Sequence, residues 1–313
     1  MSNKEKTAFL FSGQGSQYPG MGKEFYDNIP ACKDILDTAE QVLGFQLSEL
    51  MFNAEPAELA QTTVSQPAIL AVSLMALTAA REKGIDAAAV AGHSLGEYAA
   101  MTACGMLTVE EAFKAIKLRS EAMDKAAKAN PGCMAAVMGL SADVISATCD
   151  EIAAGGDYVC AVNYNSNAQT VIAGTADGIA KAETALKEKG AKRVVPLAVS
   201  AAFHSKLMES AAVEFKEKIA DFPFKTPDRE FYCNLHGAKL TDFSDMPEYL
   251  SRHICSPVRF TAELNAMKAD GIDTFIELGP GKVLTGLVKK TLDEVTAVNV
   301  ENIDTLNALN AAE

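Results

Sequence analysis

The amino-acid sequence predicts an α/β protein in which a small βαββαβ unit interrupts a larger mixed unit, and three observations carry that reading. At 313 residues the chain exceeds what one hydrophobic core usually serves, so one large domain plus a smaller one is expected. Short apolar runs with strand character alternate with helix-length periodic runs on both sides of the middle third. Between Asn130 and Pro196 the order becomes strand, helix, strand, strand, helix, strand, which is the ferredoxin-like split.

Each element has its own warrant. Thr7 to Phe11 is apolar enough for a buried strand and runs into the loop Ser12-Gly13-Gln14-Gly15-Ser16-Gln17. Pro67 to Lys83 reads as an amphipathic helix, with Pro67 suited to its first turn and Gly84 to its stop. Ala87 to Ala91 is a short apolar strand, and Tyr98 to Ala103 a helix-compatible run of small residues. Thr108, with Glu111 three residues on, forms a capping box for a helix reaching about Lys128, where Asn130-Pro131-Gly132 breaks the chain. Met134 to Leu140, Ala142 to Ala154, Tyr158 to Asn163, Gln169 to Ala173, Ala176 to Lys189 and Arg193 to Val199 supply the small unit. Residues 130–196 are therefore expected to be a domain inserted between 1–129 and 197–313. A helix from Lys206 to Ala220, a strand from Arg229 to Asn234, a helix from Met246 to His253 and a strand from Thr274 to Leu278 return the chain to the larger unit.

Composition excludes several classes. Hydrophobic residues at 49% and charged ones at 22% place the chain among globular proteins rather than disordered or fibrous ones. The net charge of −13 disfavours nucleic acid, which needs a basic face. An anionic partner would have to find a local patch, such as Lys187-Lys189-Lys192-Arg193 or Lys282 with Lys289-Lys290, and both also read as solvated surface. No apolar run approaches a membrane span, and the apolar stretch before Ser12 is too short for a signal peptide. Seven cysteines, an odd number without a C-x-x-C pair, argue for a reducing cytoplasm and against a disulfide framework. Four histidines lack metal-ligand spacing, so no metal site is expected.

Gly92-His93-Ser94-Leu95-Gly96, followed by Glu97, is the stretch most charged with chemistry. Strand, sharp turn and helix are the context that G-x-S-x-G requires, with the serine lifted clear of the sheet and the helix N-terminus aimed back at it. A serine hydroxyl needs a base, and His204 is the strongest candidate: it follows a strand, sits in a loop and precedes a helix. A helix-capping or core histidine is the alternative. His93 is expected to point away from the nucleophile and serve as scaffold. The sequence singles out no carboxylate as third member, and a main-chain carbonyl could orient the imidazole instead. Arg119 interrupts the apolar stripe Ala112, Ile116, Met123. A buried guanidinium requires an anion, either a structural Asp or Glu or the carboxylate of a substrate gripped by its planar fork. Gln14, on a glycine-flanked loop after a strand, can donate an N–H toward an oxyanion, and the Leu95 amide is a second donor. Turn glycines alone would also explain that loop. It is not a nucleotide motif: position 18 is tyrosine where the dinucleotide fingerprint needs glycine.

Together these pieces resemble the malonyl-CoA:acyl-carrier-protein transacylase family, the acyltransferases of fatty-acid and polyketide synthesis. The resemblance rests on Phe11-Ser12-Gly13-Gln14-Gly15-Ser16-Gln17, Ser65-Gln66-Pro67-Ala68, Gly92 to Glu97, the Arg119 helix, Asn163-Tyr164-Asn165-Ser166, Phe203-His204-Ser205 and Glu277-Leu278-Gly279-Pro280-Gly281, in family order across nearly the whole chain. It implies an α/β-hydrolase-like core with a parallel sheet and the inserted ferredoxin-like domain. It implies Ser94 as acylated nucleophile, His204 as base, Gln14 and the Leu95 amide as oxyanion hole, and Arg119 as holder of the malonyl carboxylate. Phe203 is similar to the bulky residue of malonyl-selective members; excluding one methyl is worth only ~1–3 kcal/mol, so a preference is implied rather than rejection. His253 stands where the family usually has glutamine, a residue whose main-chain carbonyl orients the base. The implied partners are malonyl-CoA, CoA and acyl carrier protein, with no tightly bound cofactor, no nucleic acid, no membrane and a monomeric chain. Two other classes stay open: an esterase or thioesterase using water as acceptor, and a catalytically silent module that docks carrier protein.

Overall fold

The computed structural model describes residues 4–199 and 201–310; Met1 to Asn3, which open the stretch weighed above as a signal peptide, lie outside them. The larger unit opens with β1 (Thr7–Phe11), α1 (Lys23–Asn28), α2 (Pro30–Leu43), α3 (Leu47–Asn53), α4 (Pro56–Leu59) and α5 (Thr62–Glu82). β2 (Ala89–Gly92), α6 (Gly96–Ala103) and α7 (Val109–Ala129) follow. The middle segment holds β3 (Cys133–Met138), α8 (Ala142–Ala154), β4 (Val159–Ser166), β5 (Gln169–Gly174), α9 (Ala176–Glu188) and β6 (Arg193–Pro196). The chain returns through α10 (Glu209–Lys218), β7 (Glu230–Cys233), β8 (Ala238–Lys239), α11 (Met246–Ile254) and α12 (Phe260–Ala269). It ends with β9 (Thr274–Leu278), α13 (Val283–Thr291), β10 (Thr296–Val300) and α14 (Ile303–Asn310).

Two sheets result. The first runs β10-β9-β1-β2-β7-β8, parallel except for the β7–β8 pair. β1 is buried along its whole length, as a central parallel strand covered on both faces must be, and this is why it reads as an unbroken apolar run. The second sheet is antiparallel in the order β4-β5-β3-β6, the ferredoxin-like arrangement predicted for the middle of the chain. β4 of the second sheet is tied to the segment between α11 and α12 and to the start of α12, where Tyr164 N donates to Val258 O at 2.9 Å, Val258 N donates to Val162 O at 2.8 Å, and Thr261 Oγ1 donates to Tyr164 O at 2.9 Å.

Parallel registry decides where chemistry can gather. Phe11, the last residue of β1, lies level with Gly92, the last of β2, and with Leu278, the last of β9. The loops carrying Gln14, Ser94 and Gly279 therefore leave one end of the sheet side by side, the carboxyl end where open α/β sheets bind ligands.

Two expectations need correction. The helix expected to begin at Pro67 begins at Thr62, so Pro67 lies in its interior. A proline there removes one bond, to the Thr63 carbonyl, but Val64, Ser65, Gln66 and Pro67 are all buried, and packing outweighs the loss. α5 is also long and apolar enough, by length and composition, to cross a membrane, contrary to the expectation that no run approaches that length. Of that stretch 89% is buried inside the protein, which makes it a core helix here.

α7 starts as predicted. Glu111 N donates to Thr108 Oγ1 at 3.2 Å and Thr108 N donates to Glu111 Oε2 at 2.7 Å, a reciprocal capping box. All seven cysteines are free. Burial pushes the thiols of Cys32, Cys104 and Cys149 up to about 12 and raises those of Cys160, Cys233 and Cys255.

Candidate active site

β2 ends at Gly92 and α6 starts at Gly96, leaving three residues to reverse the chain. A Cβ on Gly92 would lie 2.1 Å from the Gly96 carbonyl carbon, and one on Gly96 would lie 2.2 Å from Phe11 O. Only glycine fits either position, and the turn is tight for that reason. Ser94, at its apex, holds φ at +54°, and His204 holds φ at +59°. Left-handed backbone is costly for a residue with a Cβ and persists only where neighbours over-determine it, which is typical of reactive positions.

Ser94 Oγ lies 2.7 Å from His204 Nε2 although 110 residues separate them. His204 Nδ1 faces two main-chain carbonyls, His253 O at 3.0 Å and Ser256 O at 3.2 Å. Carbonyls only accept, so Nδ1 carries the proton and Nε2 presents its lone pair to the serine hydroxyl. Burial first, then the charge of Arg119 and the proximity of His93, hold the imidazole down to about 3. It is a neutral acceptor across the physiological range.

Arg119 Nη2 donates to the same Ser94 Oγ at 3.1 Å, and Nη1 donates to Gln66 Oε1 at 2.7 Å. The guanidinium lies 5.7 Å from the Tyr98 ring centre, within cation–π range. Its side chain is 1% exposed, its Nε has no hydrogen-bond partner, and no carboxylate forms an ion pair with it among the described residues. A buried cation whose contacts are a serine oxygen, a neutral amide and a ring forms no ion pair with a carboxylate among the described residues.

Ser94 and His204 face a cavity of about 460 Å³, within the range of ligand sites, and Arg119 lies behind its lining, touching it through Ser94 Oγ. Ser94, His204, Phe203, Gln14 and Met123 line it. The Leu95 amide stands at the head of α6, among the N–H groups that a helix leaves without an internal acceptor. His93 departs from expectation: it lines the cavity rather than pointing away, with Nε2 2.8 Å from Asn165 Oδ1, and so supports the wall built from β4. His253 is fully buried beside His204, rings 5.4 Å apart. A more open groove of about 620 Å³ beside α2 and α7 is lined by no histidine, serine or cysteine.

The structure thus brings Ser94, His204, Gln14 and Phe203 to one cavity, with Arg119 against the serine, the His253 carbonyl against His204 Nδ1 and Leu95 next to Ser94 in the chain. Sequence reasoning assigned no contact to Gln66, Tyr98 or Asn234. Gln66, buried one residue before a helical proline, was the most detectable of them.

The family model described as "Acyl transferase domain" matches residues 8–308. The malonyl CoA-acyl carrier protein transacylase of Bacillus subtilis (strain 168) is 42% identical over 301 residues, spanning 96% of this chain and 95% of that one. A crystal structure of the corresponding protein from Streptococcus pneumoniae superposes with a TM-score of 0.93 at 41% identity, over 98% of this chain and 100% of that one. A structure described as a type II polyketide-synthase acyl-carrier protein in complex with its malonyl-transacylase matches with a TM-score of 0.94 at 33% identity, over 99% and 100%.

Proposed function

This chain belongs to the acyl transferase domain family, and we propose that it transfers the malonyl group of malonyl-CoA to the phosphopantetheine thiol of an acyl carrier protein, through a malonyl ester on Ser94. One observation carries the reading: a single serine oxygen stands 2.7 Å from a neutral imidazole nitrogen and 3.1 Å from an unpaired guanidinium.

In the first half-reaction His204 Nε2 takes the Ser94 proton as Oγ attacks the thioester carbonyl. The Leu95 amide and the Gln14 side chain donate to the developing oxyanion, and the imidazolium gains its positive charge against two carbonyls. CoA leaves as its thiol, taking the proton from His204. In the second half-reaction His204 deprotonates the carrier's thiol, which attacks the acyl-serine, and the proton returns to Oγ. The cycle is ping-pong and redox-neutral. It calls on no resident metal or cofactor.

Arg119 supplies selectivity. Its planar fork, held by Gln66 and Tyr98, pairs with the malonyl carboxylate, and Phe203 narrows the space beside the acyl chain. Residues 130–196 act as a small domain set into the core formed by 1–129 and 197–313, covering the serine from the β4 side. The cytoplasm and a monomeric chain suit this activity, and products serve fatty-acid or polyketide synthesis.

Intact mass after mixing with malonyl-CoA, with and without carrier protein, tests the proposal. A malonyl adduct on Ser94 that moves to the carrier supports it. No adduct, or malonyl-CoA hydrolysed as fast as it is transferred, sinks it.

A further inference from the structure

Behind the nucleophile lies a cluster of buried polar side chains that the proposed reaction does not use: Glu97, Asn234, Tyr249, His253 and Glu263. Asn234 is its centre. Its Oδ1 accepts the Ser94 amide at 2.7 Å and lies 3.1 Å from His253 Nε2. Its Nδ2 donates to Gly92 O at 2.7 Å and to Glu263 Oε2 at 2.8 Å, and its own amide donates to Glu97 Oε1 at 2.7 Å. Two oxygens around Nδ2 and an N–H on Oδ1 permit one orientation of the side-chain amide, and that orientation makes His253 Nε2 a donor. Tyr249 completes the frame, its hydroxyl 2.8 Å from both Glu97 oxygens and its ring stacked 6.1 Å from His253.

We propose that Asn234 and the His253 imidazole form a brace that holds Ser94 in its left-handed conformation, so that His253 positions both catalytic partners. Its carbonyl accepts a hydrogen bond from His204 Nδ1, and its side chain steadies the Asn234 amide that accepts one from Ser94 N. This rests on Ser94 being the nucleophile and His204 its base. The geometry supports it in two ways. Among the described residues only Ser94, His204 and Glu294 combine a side chain with positive φ, and the first two are the ones His253 reaches. Gly92 O and Ser94 N, on either side of His93, are both tied to the same asparagine, which clamps the turn from below. Asn234 and His253 are positioning residues; neither touches the acyl group in this reading.

The test uses the full-length chain and its Asn234→Ala, His253→Leu and His253→Gln variants. Malonylation of Ser94 is followed by rapid quench and intact mass, with each rate normalised to the number of sites that finally load. Normalisation removes the effect of a misfolded fraction, which is all that a merely structural role would change. Displacing a reacting atom by about an ångström costs ~100-fold, so Asn234→Ala and His253→Leu are expected to slow acylation per site by ~30–100-fold while KM for malonyl-CoA moves little. His253→Gln keeps the carbonyl and restores an N–H donor, and is expected to recover most of that loss. Should Asn234→Ala fail to fold, the two His253 variants decide alone. Wild-type protein that loads Ser94 while His253→Leu loads at the same rate per site, or no faster His253→Gln than His253→Leu, overturns the brace. Wild-type protein that takes no malonyl on Ser94 overturns the activity proposed above and the brace with it.

Discussion

Arg119 illustrates what a single residue can reveal. As the one charge on an apolar stripe it was visible in sequence, because burial forces a charge to find an opposite. Its neighbours were not visible: Gln66 is 53 positions away, and nothing local links the two. Arg119→Ala is expected to cost ~3–5 kcal/mol in malonyl transfer, the scale of a broken buried pair, and to lower acetyl transfer less. A malonyl-to-acetyl preference unchanged from wild type would refute its role. His204 yields a prediction in pH. With its imidazole held at about 3, His204 is already neutral at pH 5 in the free protein; if it is the base, kcat/KM for malonyl-CoA should show no inflection near 6.5. Stability carries the same signature. An unfolded histidine titrates near 6.5, so between that value and about 3 the unfolded chain binds the extra proton. The contribution is complete above 6.5 and is lost as pH falls toward 3. His204→Gln should therefore lose less of its urea midpoint than wild type between pH 7 and pH 5. A steeper loss in the variant counts against the buried neutral imidazole.

Elements were legible where their signals are local. The capping box at Thr108 and the strand order of the middle segment follow from residues a few positions apart, and α8, at Ala142–Ala154, was placed at both ends. α5 starts five residues before the proline that suits a first turn, because the buried face from Val64 to Pro67 outweighs the bond that Pro67 cannot make. No element was expected between Lys23 and Leu59, nor for α12 to α14 and β10, although Pro30 at the first position of α2 and Gly44 at its left-handed C-cap are a readable start and stop. Two variants probe how elements meet. Thr108→Ala should lower stability by about 1 kcal/mol, the ordinary worth of an N-cap, with transfer rates unchanged. Gly96→Ala forces a Cβ to within 2.2 Å of Phe11 O, so β1 and α6 must separate. That should cost ~3 kcal/mol or more, at the upper end of single-site effects, and denaturant midpoints distinguish the two cases.

At the scale of the whole molecule, the site exists only because distant segments converge. Ser94 meets an asparagine 140 positions away and a histidine 110 away, and the cavity closes only when the antiparallel sheet is stitched to Val258. Such convergence leaves no periodic trace in a chain, which is why partners were harder to read than reactive residues. The cysteines have a consequence at this scale too. A protein that handles activated acyl groups on sulfur is at risk from its own sulfur, since any accessible thiolate could capture malonate by transthioesterification and strand it. Burial pushes six of the seven cysteines toward the protonated, poorly nucleophilic form, whereas Ser94 Oγ lies against the neutral imidazole of His204. Brief iodoacetamide treatment at pH 7 should accordingly leave transfer intact and the malonyl label confined to an ester. Burial thus keeps those six rival acceptors dormant.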